Sequence, residues 1–293
     1  MVSNSKGFDV RIVDFSLIHN HKKKDAEKLL EIINPKQGQA ILDAMSGYGA
    51  VALEIFDFAK KNAINLDLYL LDESKVQIER SKQNLLGLGP DRFVKSDIRK
   101  TIFSDAFFDT VIIKMGIHEL PKKHQKAVFK EVFRILKKGG KLVVWDLSFL
   151  NPETQKVFQD IIRKKDRLAG FDELVRKRYF PRRQELFCLF KETGFESVSV
   201  VHKIDAKLSM RVRESELVSK NRQELIGKKG TLSKKDESAL KKLGKKRCDA
   251  LVSFAKKYMK SVPANVKLQF ACSETKNDIH LTPNKEIIVG YKN

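Results

Sequence analysis

Asp43, Ser46, Gly47, Tyr48 and Gly49 cluster in one short stretch and have the residue types of a nucleotide-binding turn. Ala40-Ile41-Leu42 leads into Asp43, small residues and two glycines follow, and Val51, Ile55, Phe58 and Ala59 then recur at helical spacing. A strand, a tight turn and a helix N-terminus in that order make the place where a parallel α/β sheet accepts a nucleotide, since the first helical amides have no partner of their own. Glycine lets the backbone bend sharply there and lets a ligand lie against the amides. Read as Gly47-x-Gly49-x-x-Ala52, the stretch also satisfies a dinucleotide fingerprint, so alone it leaves the cofactor class open. Asp72, an acid closing the next apolar run, offers two acceptor oxygens to a pair of ribose hydroxyls. Glu73 can substitute for it or serve as a solvated strand-end charge. Asp97, beyond a third short strand, can accept from an adenine amino group while the Ile98 amide donates to a ring nitrogen. Its other reading is a cap for a short helix over 98–103.

A second group follows the apolar run Thr110-Val111-Ile112-Ile113. His118 titrates near neutrality and is the candidate base, or else a satisfied histidine packed beneath a covering segment. Glu119 stands beside it, directed elsewhere if the segment is extended. Lys114 ends a buried strand, where a free ammonium is costly, so its main chain is expected to face the ligand and its side chain to reach an acid. Arg176-Lys177-Arg178-Tyr179-Phe180-Pro181-Arg182-Arg183 mixes guanidinium donors with aromatics. Arg178, Tyr179, Arg182 and Arg183 are therefore candidate substrate residues for a carboxylate or phosphate, or else a charged lid surface. His124 reads as solvated on its helix, and His19 and His21 matter only if the N-terminal segment covers the site. Cys188, Cys248 and Cys272 lie far apart without a C-x-x-C pair, so neither a metal site nor a disulfide framework is expected.

The elements that must hold these residues alternate. Helical spacing over 25–33 precedes the first strand, and 50–62, 74–86 and 122–137 are helical in turn. Short apolar runs at 65–71, 92–95, 110–113 and 141–147 read as strands two to five. Such alternation gives a doubly wound α/β sheet. Past residue 150 come helices over 152–169 and 182–193, a sixth strand at 196–201 and a last strand at 286–291. About eighty residues between those strands exceed what a minimal α/β domain needs. Within them Ser233-Lys234-Lys235-Asp236 resembles a capping box for a helix carrying Leu240, Leu243, Leu251, Phe254 and Tyr258 on one stripe.

On these residues the chain resembles the class I S-adenosylmethionine-dependent methyltransferases, in the style of the ubiquinone/menaquinone C-methyltransferase branch. Asp43-Ala44-Met45-Ser46-Gly47-Tyr48-Gly49 is similar to the family's first motif, with Met45 where the pattern has its first glycine. The segment from Phe108 to Pro121, followed by Leu136-Lys137-Lys138-Gly139-Gly140-Lys141, carries the closest likeness, and a dehydrogenase has no need for that series. The resemblance covers roughly 25–200 and the last strand. It implies a Rossmann-like, mostly parallel seven-stranded sheet that binds S-adenosylmethionine through Asp43, Ser46, Gly47, Tyr48, Gly49, Asp72, Glu73, Asp97, Ile98 and Lys114. Methyl transfer from a sulfonium is an in-line displacement, so the protein's task is alignment, water exclusion and, for some nucleophiles, removal of a proton.

The expected organisation is an N-terminal cover segment and helix (1–37), an S-adenosylmethionine-binding domain (38–203), a basic helical insertion (204–284) and the final strand (285–293). A formal net charge of +21 marks either an anionic partner or a lysine-solvated surface. Residues 220–260 hold fourteen Lys/Arg against four Asp/Glu, yet few aromatics that could stack on bases. A small molecule is accordingly the expected substrate, anionic if the arginines at 176–183 bind it, with nucleic acid behind it. A tRNA or rRNA methyltransferase gripping phosphates with the insertion and an NAD(P)-dependent oxidoreductase are the alternatives. The chain has no signal-peptide pattern and no run of membrane-spanning length, so a cytoplasmic protein without a membrane partner is expected. The oligomeric state stays open, a homodimer included.

Overall fold

The computed structural model describes residues 23–293, which fall into two compact units. The first takes in 23–148, 179–204 and 285–293. Helix α1 (Lys23–Ile33) precedes strand β1 (Ala40–Ala44), α2 (Ala50–Lys61), β2 (Asp67–Asp72), α3 (Lys75–Asn84), β3 (Phe93–Lys95), β4 (Phe108–Lys114), α4 (Lys122–Ile135) and β5 (Leu136–Leu147). Later in the chain, α7 (Arg183–Glu192), β6 (Glu196–Ile204) and β10 (Lys285–Tyr291) complete the unit. The strands form one seven-stranded sheet in the order β3-β2-β1-β4-β5-β10-β6. β1 pairs in parallel with both β2 and β4, whereas β10 runs antiparallel between β5 and β6. The doubly wound, mostly parallel sheet read from the sequence is therefore present, with its last strand inserted by a chain that returns after an excursion.

Helices on both faces explain why the central strands read as continuous apolar runs. Every residue of β1 is buried, and Val111, Ile112 and Ile113 of β4 are fully buried. On one face, Leu42, Val111, Ile113 and Val144 pack with Val128, Phe129 and Val132 of α4 and with Leu186 and Phe190 of α7. Each such side chain removed from water contributes about 1.5–3 kcal/mol. Because β1, β2 and β4 run parallel, their C-terminal ends all open on one edge.

The second unit contains 149–178 and 205–284 among the described residues. Its helices are α5 (Pro152–Ala169), α6 (Asp172–Lys177), α8 (Glu214–Lys229), α9 (Lys234–Ser261) and α10 (Ala264–Gln269). A small sheet of β7 (Leu208–Ser209), β9 (Ile279–Leu281) and β8 (Ser273–Glu274) joins them. The capping box forms as expected, Ser233 Oγ accepting from the Asp236 amide at 3.1 Å. α5 lies in this unit and not with the nucleotide-binding unit in which the sequence placed it. The reason is its apolar face: Phe158, Ile161 and Ile162 are buried, and α5 packs on α8 and α9. The cover segment expected over 1–22, with His19 and His21, lies outside the described residues. No described helix is long and apolar enough to cross a membrane.

Candidate active site

The turn after β1 is built from strained backbone. Met45 adopts φ +57°, Gly47 +56° and Gly49 +84°, all in the left-handed region. Glycine enters it freely, but Met45 does so at about 1–2 kcal/mol. A Cβ on Gly49 would lie 2.8 Å from Leu85 Cδ1 and 2.9 Å from Leu70 Cδ2, so glycine is required there for packing. A Cβ on Gly47 would meet nothing within 4 Å, which leaves room against that amide. Ser46 Oγ is buried and has no hydrogen-bond partner among the described residues. Its orphaned hydroxyl beside an open glycine is what a ligand-binding turn leaves for its ligand to satisfy.

Two acids fix the turn from behind. Asp43 Oδ2 accepts from the Ala52 amide at 3.1 Å, so this carboxylate anchors the first turn of α2 and does not line the open side. Burial raises its pKa, against the Ala52 amide and the Lys114 ammonium, to about 7. Asp72 Oδ2 accepts from the Gly47 amide at 2.9 Å and Oδ1 from the Ser74 amide at 2.8 Å. A carboxylate oxygen can accept more than one hydrogen bond, so holding these amides is compatible with the ribose-binding role expected of Asp72. Glu73 is exposed at the strand tip, and Tyr48 accepts at its carbonyl from Asn84 Nδ2 at 2.9 Å.

The cap reading of Asp97 needs correction. No helix forms over 98–103, so it caps none. Its carboxylate instead binds the Arg99 guanidinium with three contacts, Nη2 to Oδ2 at 2.5 Å and Nε to Oδ1 at 2.9 Å and to Oδ2 at 3.0 Å. Arg99 in turn lies 2.7 Å from His124 Nδ1, so His124 is not simply solvated. Ile98 is buried in the core. Lys114 lies over the Trp145 ring at 4.7 Å, where burial lowers its pKa, against Asp43 and Glu54, to about 8.

The loop after β4 meets the loop after β1. Met115 also takes φ +57°, and a Cβ on Gly116 would lie 2.8 Å from Met45 Sδ, so the two turns touch. The next residues form a tight 3-10 turn over Ile117–Glu119. That turn corrects the extended reading, because it brings Glu119 Oε1 within 3.4 Å of His118 Nε2. His118 Nδ1 donates to Asp146 Oδ1 at 2.5 Å, and its amide donates to Asp146 Oδ2 at 3.3 Å. The ring stacks on Phe180 at 5.1 Å between centroids. Burial pulls the imidazole pKa down, but the Asp146 and Glu119 carboxylates outweigh it and raise it to about 9.

Asp146, Phe180 and Gln125 are the residues that sequence reasoning missed. Asp146 closes the apolar run Leu142-Val143-Val144-Trp145, the same strand-end signature that marks Asp43 and Asp72. Gln125 Nε2 donates to the carbonyls of Ile117 and Tyr179, both at 3.0 Å, and thereby ties the His118 loop to residue 179. No local pattern announces either Gln125 or Phe180.

The candidate substrate residues at 178–183 have internal partners. Arg178, in the other unit, binds Asp166 at 3.1 Å. Arg182 binds Glu185 at 3.3 Å, Tyr179 Oη donates to the same carboxylate at 2.7 Å, and Arg183 forks onto buried Glu286. Each guanidinium thus already faces an internal carboxylate.

Compared with known proteins, residues 5–205 match the model of the ubiE/COQ5 methyltransferase family. The chain belongs to that family. Its seven-stranded unit is a class I S-adenosylmethionine-dependent methyltransferase domain, and the turn at Ser46 and Gly47 has the orphaned hydroxyl and the open space that fit such a cofactor. Among curated relatives, the ubiquinone/menaquinone biosynthesis C-methyltransferase UbiE of Bartonella bacilliformis is 27% identical over 174 residues, 55% of this chain and 66% of that one. The same enzyme of Rickettsia prowazekii is 29% identical over 201 residues, 63% of this chain and 79% of that one. In fold, the YcgJ protein of Bacillus subtilis superposes with a TM-score of 0.64 at 15% identity, covering 93% of this chain and 99% of that one. For this ubiE/COQ5 family member, β1 and β4 are where the strand order reverses, the crevice in which open α/β sheets bind ligands. Ser46, Gly47 and Asp72 from one side of that crevice and His118 from the other are its candidate cofactor and acid–base groups.

Proposed function

We propose that this methyltransferase alkylates a carbon of a small hydroxylated aromatic acceptor, with His118 taking the proton of the acceptor's hydroxyl. The observation that carries the reading is the buried, Asp146-held imidazole on the loop that touches the nucleotide turn. S-adenosylmethionine supplies a methyl group already activated on a sulfonium. Loss of the hydroxyl proton, whose pKa is about 10, turns a phenol-like ring into a carbon nucleophile; after methyl transfer the ring C–H proton leaves and a proton returns to oxygen, so one proton is released overall. An imidazolium near 9 is closely matched to that task, so proton transfer between the two is nearly level. Asp146 holds the ring in one orientation and stabilises its charged form, Phe180 covers one ring face, and Glu119 stands at Nε2 where the proton must arrive.

The quinone-pathway C-methyltransferases among the relatives support an aromatic acceptor. An anionic acceptor loses its support, since the arginines that suggested one are paired internally. The test is release of S-adenosylhomocysteine from the purified protein offered simple hydroquinols, catechols and matched carboxylated analogues. Turnover of the neutral phenols with methyl on ring carbon is expected. Exclusive N-methylation, or turnover of carboxylated substrates alone, would overturn the reading.

A further inference from the structure

The second unit carries a feature that methyl transfer does not use. The C-terminal half of α9, Arg211 and the loop at 276–277 enclose a cleft of about 450 Å³. Arg211, Lys256, Lys257, Lys260 and Lys276 line it, against one acid, Asp249. Arg211 Nη2 takes that acid at 2.7 Å, and Lys256 Nζ donates to the Thr275 carbonyl at 2.6 Å. Lys257, Lys260 and Lys276 are exposed and face no carboxylate among the described residues. The cluster continues along the surface: Lys267 Nζ donates to the Lys260 carbonyl at 3.3 Å, and the next residue, Leu268, is 80% exposed. Gln269 Oε1 accepts from Asn151 Nδ2 at 2.7 Å, and Leu150, the residue before Asn151, is 54% exposed.

Unpaired ammonium groups repel one another, and large leucines in water forfeit their transfer energy; a layer of anions over an apolar interior relieves both at once. A nucleic acid would satisfy the charge but not the leucines. It would also lack stacking partners, because Phe254 and Tyr258 stack on each other at 5.7 Å and Tyr258 Oη donates to Asp160.

We propose that this face docks on an anionic phospholipid surface, phosphate groups seated against Lys257, Lys260 and Lys276 and Leu268 dipping into the interfacial layer. The proposal revises the sequence-based expectation of no membrane partner and stands independently of the acceptor proposed above. It is tested by cosedimentation of the full chain with vesicles of phosphatidylcholine alone or with about 30% phosphatidylglycerol. Binding to the anionic vesicles only, abolished at high salt, is expected. K257E/K260E/K276E should weaken it by about a hundredfold or more, and L268S by several-fold, with thermal melting and S-adenosylhomocysteine affinity unchanged. Equal partitioning to both vesicle types, no loss in the charge-reversed variant, or displacement from vesicles by single-stranded RNA at lower phosphate concentration than the lipid's own would overturn it. Failure here leaves the methyltransferase reading untouched, since neither readout involves methyl transfer.

Discussion

Asp146 reaches His118 from the neighbouring strand, its carboxylate gripping both the ring Nδ1 and the backbone amide of the same residue. A charged imidazole buried beside two carboxylates is the favoured state below pH 9, and the free base appears only above it. If His118 accepts a proton from substrate, kcat/KM should rise about tenfold per pH unit from neutrality and level off near 9, the raised value. D146N should move that inflection downward, since the larger upward influence is lost, and H118A should lower kcat by about 10²–10⁴-fold. Initial rates of S-adenosylhomocysteine release between acid and alkaline pH check this; a flat profile refutes proton transfer by His118.

The two glycines of the turn should respond differently to a methyl group. Gly47→Ala meets no atom, so it should lower stability by only about 1 kcal/mol, the strain of a left-handed alanine. Its cofactor affinity should fall more, because the methyl then occupies the open space beside the turn. Gly49→Ala adds contacts of 2.8 and 2.9 Å with Leu85 and Leu70 to its positive φ, so about 2–4 kcal/mol of stability should be lost. Urea melts with and without S-adenosylhomocysteine separate the two.

Much of this site is legible in the chain. Asp43, Gly47, Gly49 and Asp72 fall where strand ends and turn chemistry place them, because glycine and acids at strand tips have local causes. Asp97 has a local partner too: Arg99, two residues on, takes its carboxylate. Of the partners of the arginines at 178–183, Glu185 and Asp166 lie near in the chain, but Glu286 is 103 positions from Arg183. Spacing along one chain cannot reveal a carboxylate delivered by a returning strand. The same limit hid α5's allegiance, since an amphipathic helix announces that it has an apolar face and not which element will cover it.

Asp43 gives the domain an unusual pH response. Burial raises its carboxyl to about 7, whereas the unfolded value lies near 3.8. Between those limits the folded chain binds the extra proton, so the contribution is most favourable below pH 4 and is lost as pH rises to 7. Some three pH units correspond to about 4 kcal/mol at most. Asp43→Asn should therefore flatten the pH dependence and narrow the stability gap between pH 4 and pH 8. A variant with an unchanged slope in denaturant titrations at several pH values would show Asp43 ionised throughout.

In the helical unit, Lys165, Arg178 and Arg213 share two buried carboxylates, Asp166 and Glu216. Lys165 bridges both acids at 2.8 and 2.5 Å, while Arg178 holds Asp166 and Arg213 holds Glu216. Removing the lysine thus leaves each acid with an arginine, but removing Glu216 leaves Arg213 buried without its acid. Isolating a buried charge costs about 3–5 kcal/mol, whereas exchanging a paired one for an apolar group of like volume is often neutral. Lys165→Met should accordingly shift stability by no more than about 1 kcal/mol and Glu216→Leu should cost several. Thermal melts of the two variants, which on simple pair counting would be equally damaged, decide whether the arginines suffice.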